Sequence, residues 1–183
     1  DLRFAEIEDG DVLSVTDLLY AMMLTSSVEA SETLAYHLTD GNPSKFIDMM
    51  NEKADEIGLQ STHFTNANGM YDPDQYTTAR DMAILTQYAL KVPQFEKIAT
   101  TYQYNPSVPN IERHPNHDTW IWTHSNSMMD PEGDYYYAGA KGIKTGNLEL
   151  AGRNIVAMAS RDGNNYLAVL MKSPLNDAEG NNT

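Results

Sequence analysis

The sequence contains no cysteine, few basic residues and no long apolar run. Each shortage excludes something. Without cysteine there is no disulfide, no thiolate zinc site and no thiol nucleophile. Only 12 Lys and Arg stand against 26 Asp and Glu, a net charge of −14. That charge repels phosphate, which argues against a nucleic-acid partner and against an anionic membrane surface. No stretch approaches the roughly 18 apolar residues of a membrane-crossing helix. Asp1-Leu2-Arg3-Phe4 leads into acidic residues and does not read as a signal peptide. The absence of thiols fits an exported protein. Leu, Ile, Val and Phe number only 35 of 183 residues, near the composition of a disordered chain. Ten Met, 11 Tyr and two Trp bring it back to the globular side. The length corresponds to a single domain.

Charge is distributed unevenly. Residues 1–140 carry 7 basic and 22 acidic side chains, and residues 141–183 carry 5 and 4. Lys141, Lys144, Arg153 and Arg161 make a basic island with Glu149 alone among them. Such an island could focus an anionic ligand, or it could be a solvated strand edge guarded by lysines.

The apolar pattern changes character near residue 100. Before it, helical spacing dominates. Residues 2–8 predict a short strand ending in a turn at Asp9-Gly10-Asp11. Ser14-Val15-Thr16-Asp17 is a capping box ahead of Leu18, Leu19, Met22 and Met23. Ser26-Ser27-Val28-Glu29 predicts a second one. Asn42-Pro43 opens a third helix, striped by Phe46, Ile47, Met50, Ala54 and Ile57 and stopped by Gly58. Residues 60–76 read as loop, with Asp72 and Asp74 in turn chemistry. Thr77-Thr78 caps a helix to about Lys91, and Pro93 starts a short one. After residue 100, strands are predicted at 101–104, 119–123, around Ile143, at 154–160 and at 166–171. Asp162-Gly163 joins the last two as a hairpin. The fold class is therefore α+β with an antiparallel sheet. A helical lobe covers about 15–99, a sheet lobe about 1–14 and 100–174, and a polar tail 175–183.

Few residues stand out chemically. Lys144-Thr145-Gly146 ends a strand candidate. There an ammonium and a hydroxyl could meet a peptide carboxylate, and Gly146 allows close approach to the backbone. Its plain reading is an ordinary edge strand. Ser26 reads as a helix cap unless a base lies within hydrogen-bond reach. His114, His117 and His124 match no helix-borne metal spacing, and no metal or cofactor is expected. Tyr135-Tyr136-Tyr137, with Trp120 and Trp122, reads as core or loop packing rather than as a sugar platform. There is neither a glycine-rich phosphate loop nor a Gly-x-Ser-x-Gly elbow.

Four stretches in order carry a resemblance: Thr16 to Leu24, Thr62 to Met70, Tyr76 to Ala83, and Gly142 to Gly146 followed by Ala151-Gly152. From about residue 4 to residue 174 the chain resembles the D-alanyl-D-alanine carboxypeptidases, the low-molecular-weight penicillin-binding proteins. The resemblance implies the β-lactamase/transpeptidase-like fold and a cell-envelope, extracellular setting. It also implies a peptidoglycan stem peptide ending in D-Ala-D-Ala as substrate, and β-lactam antibiotics as ligands. The family uses Ser-x-x-Lys, Ser-x-Asn and Lys-Thr-Gly motifs. The resemblance puts Ser26 on the second as a catalytic residue, and Lys144, catalytic, with substrate-binding Thr145 and Gly146 on the third. Ser-x-x-Lys is absent, which implies that an upstream segment of the same protein holds the nucleophile and that this chain alone is inactive. Val28 stands where the family has Asn, and Leu148 where Thr commonly follows Lys-Thr-Gly. Those departures keep two alternatives open: a non-catalytic cell-wall-binding or scaffold domain on this fold, and a serine β-lactamase. The latter lacks its Glu-bearing loop between residues 60 and 115.

Overall fold

The computed structural model describes residues 5–107 and 120–176. Among these residues five α-helices come first: α1 (Val15–Tyr20), α2 (Val28–Leu38), α3 (Pro43–Ile57), α4 (Ala79–Ala89) and α5 (Pro93–Ala99). Five strands follow: β1 (Gln103–Tyr104), β2 (Trp122–Thr123), β3 (Ala140–Leu148), β4 (Gly152–Arg161) and β5 (Asn164–Ser173). All pair antiparallel, β1 with β2 as a ribbon and β3-β4-β5 as a sheet. The fold is α+β, as the change of period at residue 100 predicts.

Local chemistry sets most boundaries. Ser14 and Asp17 form the expected capping box. Asn42 caps α3 with Pro43 inside its first turn, and Gly58 closes it. Thr78 caps α4 by accepting from the Asp81 backbone N–H. The Asp162-Gly163 hairpin pairs Arg161 with Asn164 across a two-residue turn. Both turn residues have positive φ, 52° and 77°, the geometry that matches strand twist. Asp72 Oδ1 accepts the Asp74 N–H at 2.8 Å, which is the turn role expected of that pair.

The main core joins α1, α2 and α5 to the β1-β2 ribbon through Leu18, Tyr20, Leu24, Leu34, Ile98, Trp120 and Trp122. Aromatic contacts replace the missing aliphatic volume. Tyr20 stacks on Tyr104 at 3.7 Å, and Trp120 meets Trp122 edge-on at 5.4 Å. A smaller cluster of Ala99, Ile143 and Met158 seats the sheet on α5.

Asp17 is the polar pin of this core. Fully buried, it accepts from the Ser14, Tyr104 and Ser107 hydroxyls at 2.6, 2.6 and 3.1 Å, and from the Ser14 and Ser107 backbone N–H groups. Burial pushes its carboxyl up, but these donors outweigh burial and hold it below the ordinary 3.8.

Two expectations change and one narrows. Residues 5–8 form no strand, and the rest of the segment expected at 2–8 lies outside the described residues. The polar tail from 177 also lies outside them, as do His114, His117 and the first residue of the 119–123 strand. Tyr135, Tyr136 and Tyr137 are 72%, 48% and 44% exposed, so of the core or loop packing expected of them only the loop alternative stands. They occupy the turn-rich loop ahead of β3, where no apolar element covers them. The basic island is not a single patch either. Arg161 lies at the exposed hairpin tip beside Asp162, away from Lys144 at mid-strand.

Candidate functional site

The site begins where α1 stops being α-helical. Ala21–Thr25 widens into one π-helical turn, fastened by Thr25 Oγ1 donating to Ala21 O at 2.8 Å. Such turns redirect the residue that follows them. Here that residue is Ser26, left-handed at φ 60° and ψ 36°. A non-glycine residue in this region is held by its surroundings at a cost of about 1 kcal/mol. Ser26 is therefore not the cap of α2. Ser27 takes that role, its buried Oγ accepting from the Ala30 N–H at 3.1 Å and donating to Glu29 at 2.8 Å. Ser26 Oγ is left for another partner.

That partner comes from β3. The Lys144 ammonium donates to Ser26 Oγ, and also to Thr145 O at 2.8 Å. Two residues 118 apart in sequence thus meet. An ammonium donating into a hydroxyl oxygen leaves the hydroxyl proton free to point elsewhere, the arrangement a proton relay needs. Among the described residues β3 lies at the edge of its sheet, with β4 on one side only. A β-carbon added to Gly146 would meet nothing closer than Asn154 Cβ at 3.9 Å. Nothing inside the fold demands glycine there, so the space it leaves is outside the protein. Val28, the first residue of α2, is half-buried and brings no hydrogen-bonding group.

A segment that the sequence does not single out holds β3 in place. His124, Ser125 and Asn126 follow β2 directly and reach β3 in three ways. His124 Nδ1 accepts the Asn126 N–H at 3.0 Å, which puts its proton on Nε2, facing Ile143 O at 3.2 Å. Asn126 Nδ2 donates to Gly142 O at 3.0 Å. Ser125 Oγ and Thr145 Oγ1 are 2.5 Å apart. The same Ser125 donates its backbone N–H to Leu24 O, in the turn that presents Ser26, at 3.1 Å. One residue therefore spans the two walls of the site. His124 is not a metal candidate: both ring nitrogens are committed inside the fold. Burial pushes its imidazole below the ordinary 6.5, and the Lys144 charge adds to this against the Ile143 and Ala99 carbonyls. Among the described residues no group of three His, Cys, Asp or Glu could hold a metal ion.

Gly142 makes this packing possible. It has φ +81°, and a β-carbon there would lie 2.0 Å from Ala99 O. The signal for His124-Ser125-Asn126 was three consecutive hydrogen-bonding side chains directly after a strand. Sequence alone does not say where such side chains turn.

The Asp81 carboxylate organises the loop behind α2 and α3. It accepts from the Thr62 hydroxyl and the Ser61 N–H, both at 2.8 Å, which hold it below 3.8. Two of the stretches that carry the resemblance are joined by these bonds.

Comparison with known proteins agrees with the fold. The family model described as D-alanyl-D-alanine carboxypeptidase matches residues 4–174. The D-alanyl-D-alanine carboxypeptidase DacA of Haemophilus influenzae is 31% identical over 164 residues, covering 88% of this chain and 38% of that protein. The crystal structure of the Streptomyces K15 DD-transpeptidase superposes with a TM-score of 0.80 at 27% identity, over 94% of this chain and 65% of that one. Penicillin-binding protein D2 from Listeria monocytogenes, in its ampicillin-bound form, shares the fold at 21% identity with a TM-score of 0.75. The chain spans about two-fifths of the length of most of the curated relatives it matches, and 56% of one from Streptomyces. A match over nearly the whole chain places it: the chain belongs to the D-alanyl-D-alanine carboxypeptidase family.

Proposed function

We propose that this chain supplies the proton-relay and carboxylate-binding wall of a serine-type D-Ala-D-Ala carboxypeptidase. The observation that carries the reading is the Lys144 ammonium on the Ser26 hydroxyl, beside the Thr145 hydroxyl at the edge of β3.

The chemistry follows from these positions. A serine in a Ser-x-x-Lys segment upstream attacks the carbonyl of the penultimate D-Ala. The peptide C–N bond breaks and an acyl-enzyme forms. The departing D-Ala nitrogen takes a proton through Ser26 Oγ, which Lys144 orients. Water then cleaves the ester and restores the serine. Lys144 and Thr145 bind the terminal carboxylate, Gly146 leaves room for it, and the free edge of β3 aligns the peptide as an added strand. The substrate is a peptidoglycan stem peptide, β-lactams acylate the same serine, and the protein works outside the cell at the envelope. Among the described residues no helix is long and apolar enough to cross a membrane.

Val28 favours one second reading. The Asn amide that the family places there would bond the substrate backbone and the nucleophile's lysine, and Val can do neither. A cell-wall-binding domain without hydrolysis would tolerate it. Titrating a muramyl pentapeptide into protein that carries a Ser-x-x-Lys segment separates the two. Release of D-Ala supports the peptidase, and saturable binding without release supports the scaffold.

A further inference from the structure

Ser125 has two attachments that no cap or turn explains. Its backbone N–H is bonded to Leu24 O on the Ser26 side, and its side-chain hydroxyl meets the Thr145 hydroxyl on the β3 side. Its neighbours fix it further. His124 and Asn126 are buried and bonded to Ile143 O and Gly142 O, so Ser125 Oγ has little freedom to turn away.

A threonine hydroxyl has one proton and two lone pairs. It binds an anion only by donating that proton. A neighbour that donates into its oxygen occupies a lone pair, turns the proton outward and polarises the O–H bond. Ser125 is placed to be that donor. We propose that Ser125 is a positioning residue for carboxylate recognition. Its hydroxyl donates to Thr145 Oγ1 and so presents the Thr145 proton to the ligand's terminal carboxylate. The inference rests on the carboxylate-binding role given above to Lys144 and Thr145. The same strut sets the distance between the Ser26 turn and β3, so ligand affinity and the Lys144–Ser26 contact share one support.

The experiment is an NMR titration of this chain with diacetyl-Lys-D-Ala-D-Ala and with the same peptide carrying a C-terminal amide. Wild type should bind the acid more tightly than the amide. Ser125→Ala should weaken the acid roughly fivefold, about the worth of one neutral hydrogen bond, and leave the amide unchanged. Ser125→Thr should restore the acid preference. In the Ser125→Ala background, Thr145→Val should cost little more, whereas two independent structural effects would add. Full acid preference in Ser125→Ala overturns the inference and spares the reading beneath it. Wild type that does not tell acid from amide overturns that reading, and the inference with it. Equal weakening of acid and amide in Ser125→Ala marks a purely structural role and also overturns the inference.

Discussion

The Lys144 ammonium donates to the hydroxyl of Ser26, and the two residues reach each other from opposite kinds of structure. Ser26 is delivered by a π-helical turn that ends left-handed, and Lys144 by the edge strand of a sheet. Neither position can shift alone. Ser125 ties the turn to the strand, and His124 and Asn126 hold the strand's first residues. The site is thus a junction between the helical and sheet parts of the chain, and its geometry depends on how firmly they are joined.

Asp17 should dominate stability on the helical side. Asp17→Asn keeps the shape but sets an amide against several hydroxyl and N–H donors, at a cost of about 2 kcal/mol. Urea unfolding at pH 7 measures it. The acid limb gives an independent check. The folded carboxyl lies below its ordinary 3.8, so the folded state binds fewer protons than the unfolded state between the two values. Its stabilisation is full above about pH 4 and is lost as pH falls through the folded value. Asp17→Asn should flatten that limb. A variant as stable as wild type at pH 7 would remove Asp17 from this role.

Gly142→Ala should be among the most damaging single changes on the sheet side. Its methyl would meet Ala99 O at 2.0 Å, and alanine disfavours φ +81°. The backbone conformation alone costs about 1 kcal/mol, and the clash must move either β3 or the end of α5. A fall in Tm with loss of the Lys144–Ser26 contact, followed by lysine side-chain NMR, is expected. Gly146→Ala should leave Tm near wild type, because its β-carbon has room. Equal effects at the two glycines would contradict the packing described.

His124 predicts a pH effect in a different window. Its folded pKa is lowered from 6.5, so the unfolded state takes up protons first on acidification. The stabilisation is present above about 6.5 and is lost as pH falls from there through the folded value. Between pH 7.5 and 5.5, His124→Gln should lose less unfolding free energy than wild type. A wild-type loss over that range no larger than the variant's would show that His124 is not held neutral.

Much of this was legible in advance, because local rules act on local sequence. Ser14 with Asp17, Asn42-Pro43 and Asp162-Gly163 each specify a boundary within a few residues, and the structure has all three. Lys144-Thr145-Gly146 was legible as a motif, and the resemblance placed it and Ser26 on two separate motifs without saying that they touch. Two things were hidden for physical reasons. Ser26 and Ser27 are chemically identical as caps, and only the π turn decides which begins α2. His124, Ser125 and Asn126 act on residues about 16 to 20 positions away, across a loop. At Tyr135 to Tyr137 the sequence left core and loop packing open, and the exposed side chains decide for the loop.

The most direct test is acylation by a labelled penicillin, measured on protein that carries this chain together with a Ser-x-x-Lys segment. Lys144→Ala removes the ammonium that orients Ser26 and meets the carboxylate, so acylation should slow by about 100-fold or more. The 183-residue chain alone should not be labelled. Acylation at the wild-type rate in Lys144→Ala, or labelling of the chain alone, would contradict the account.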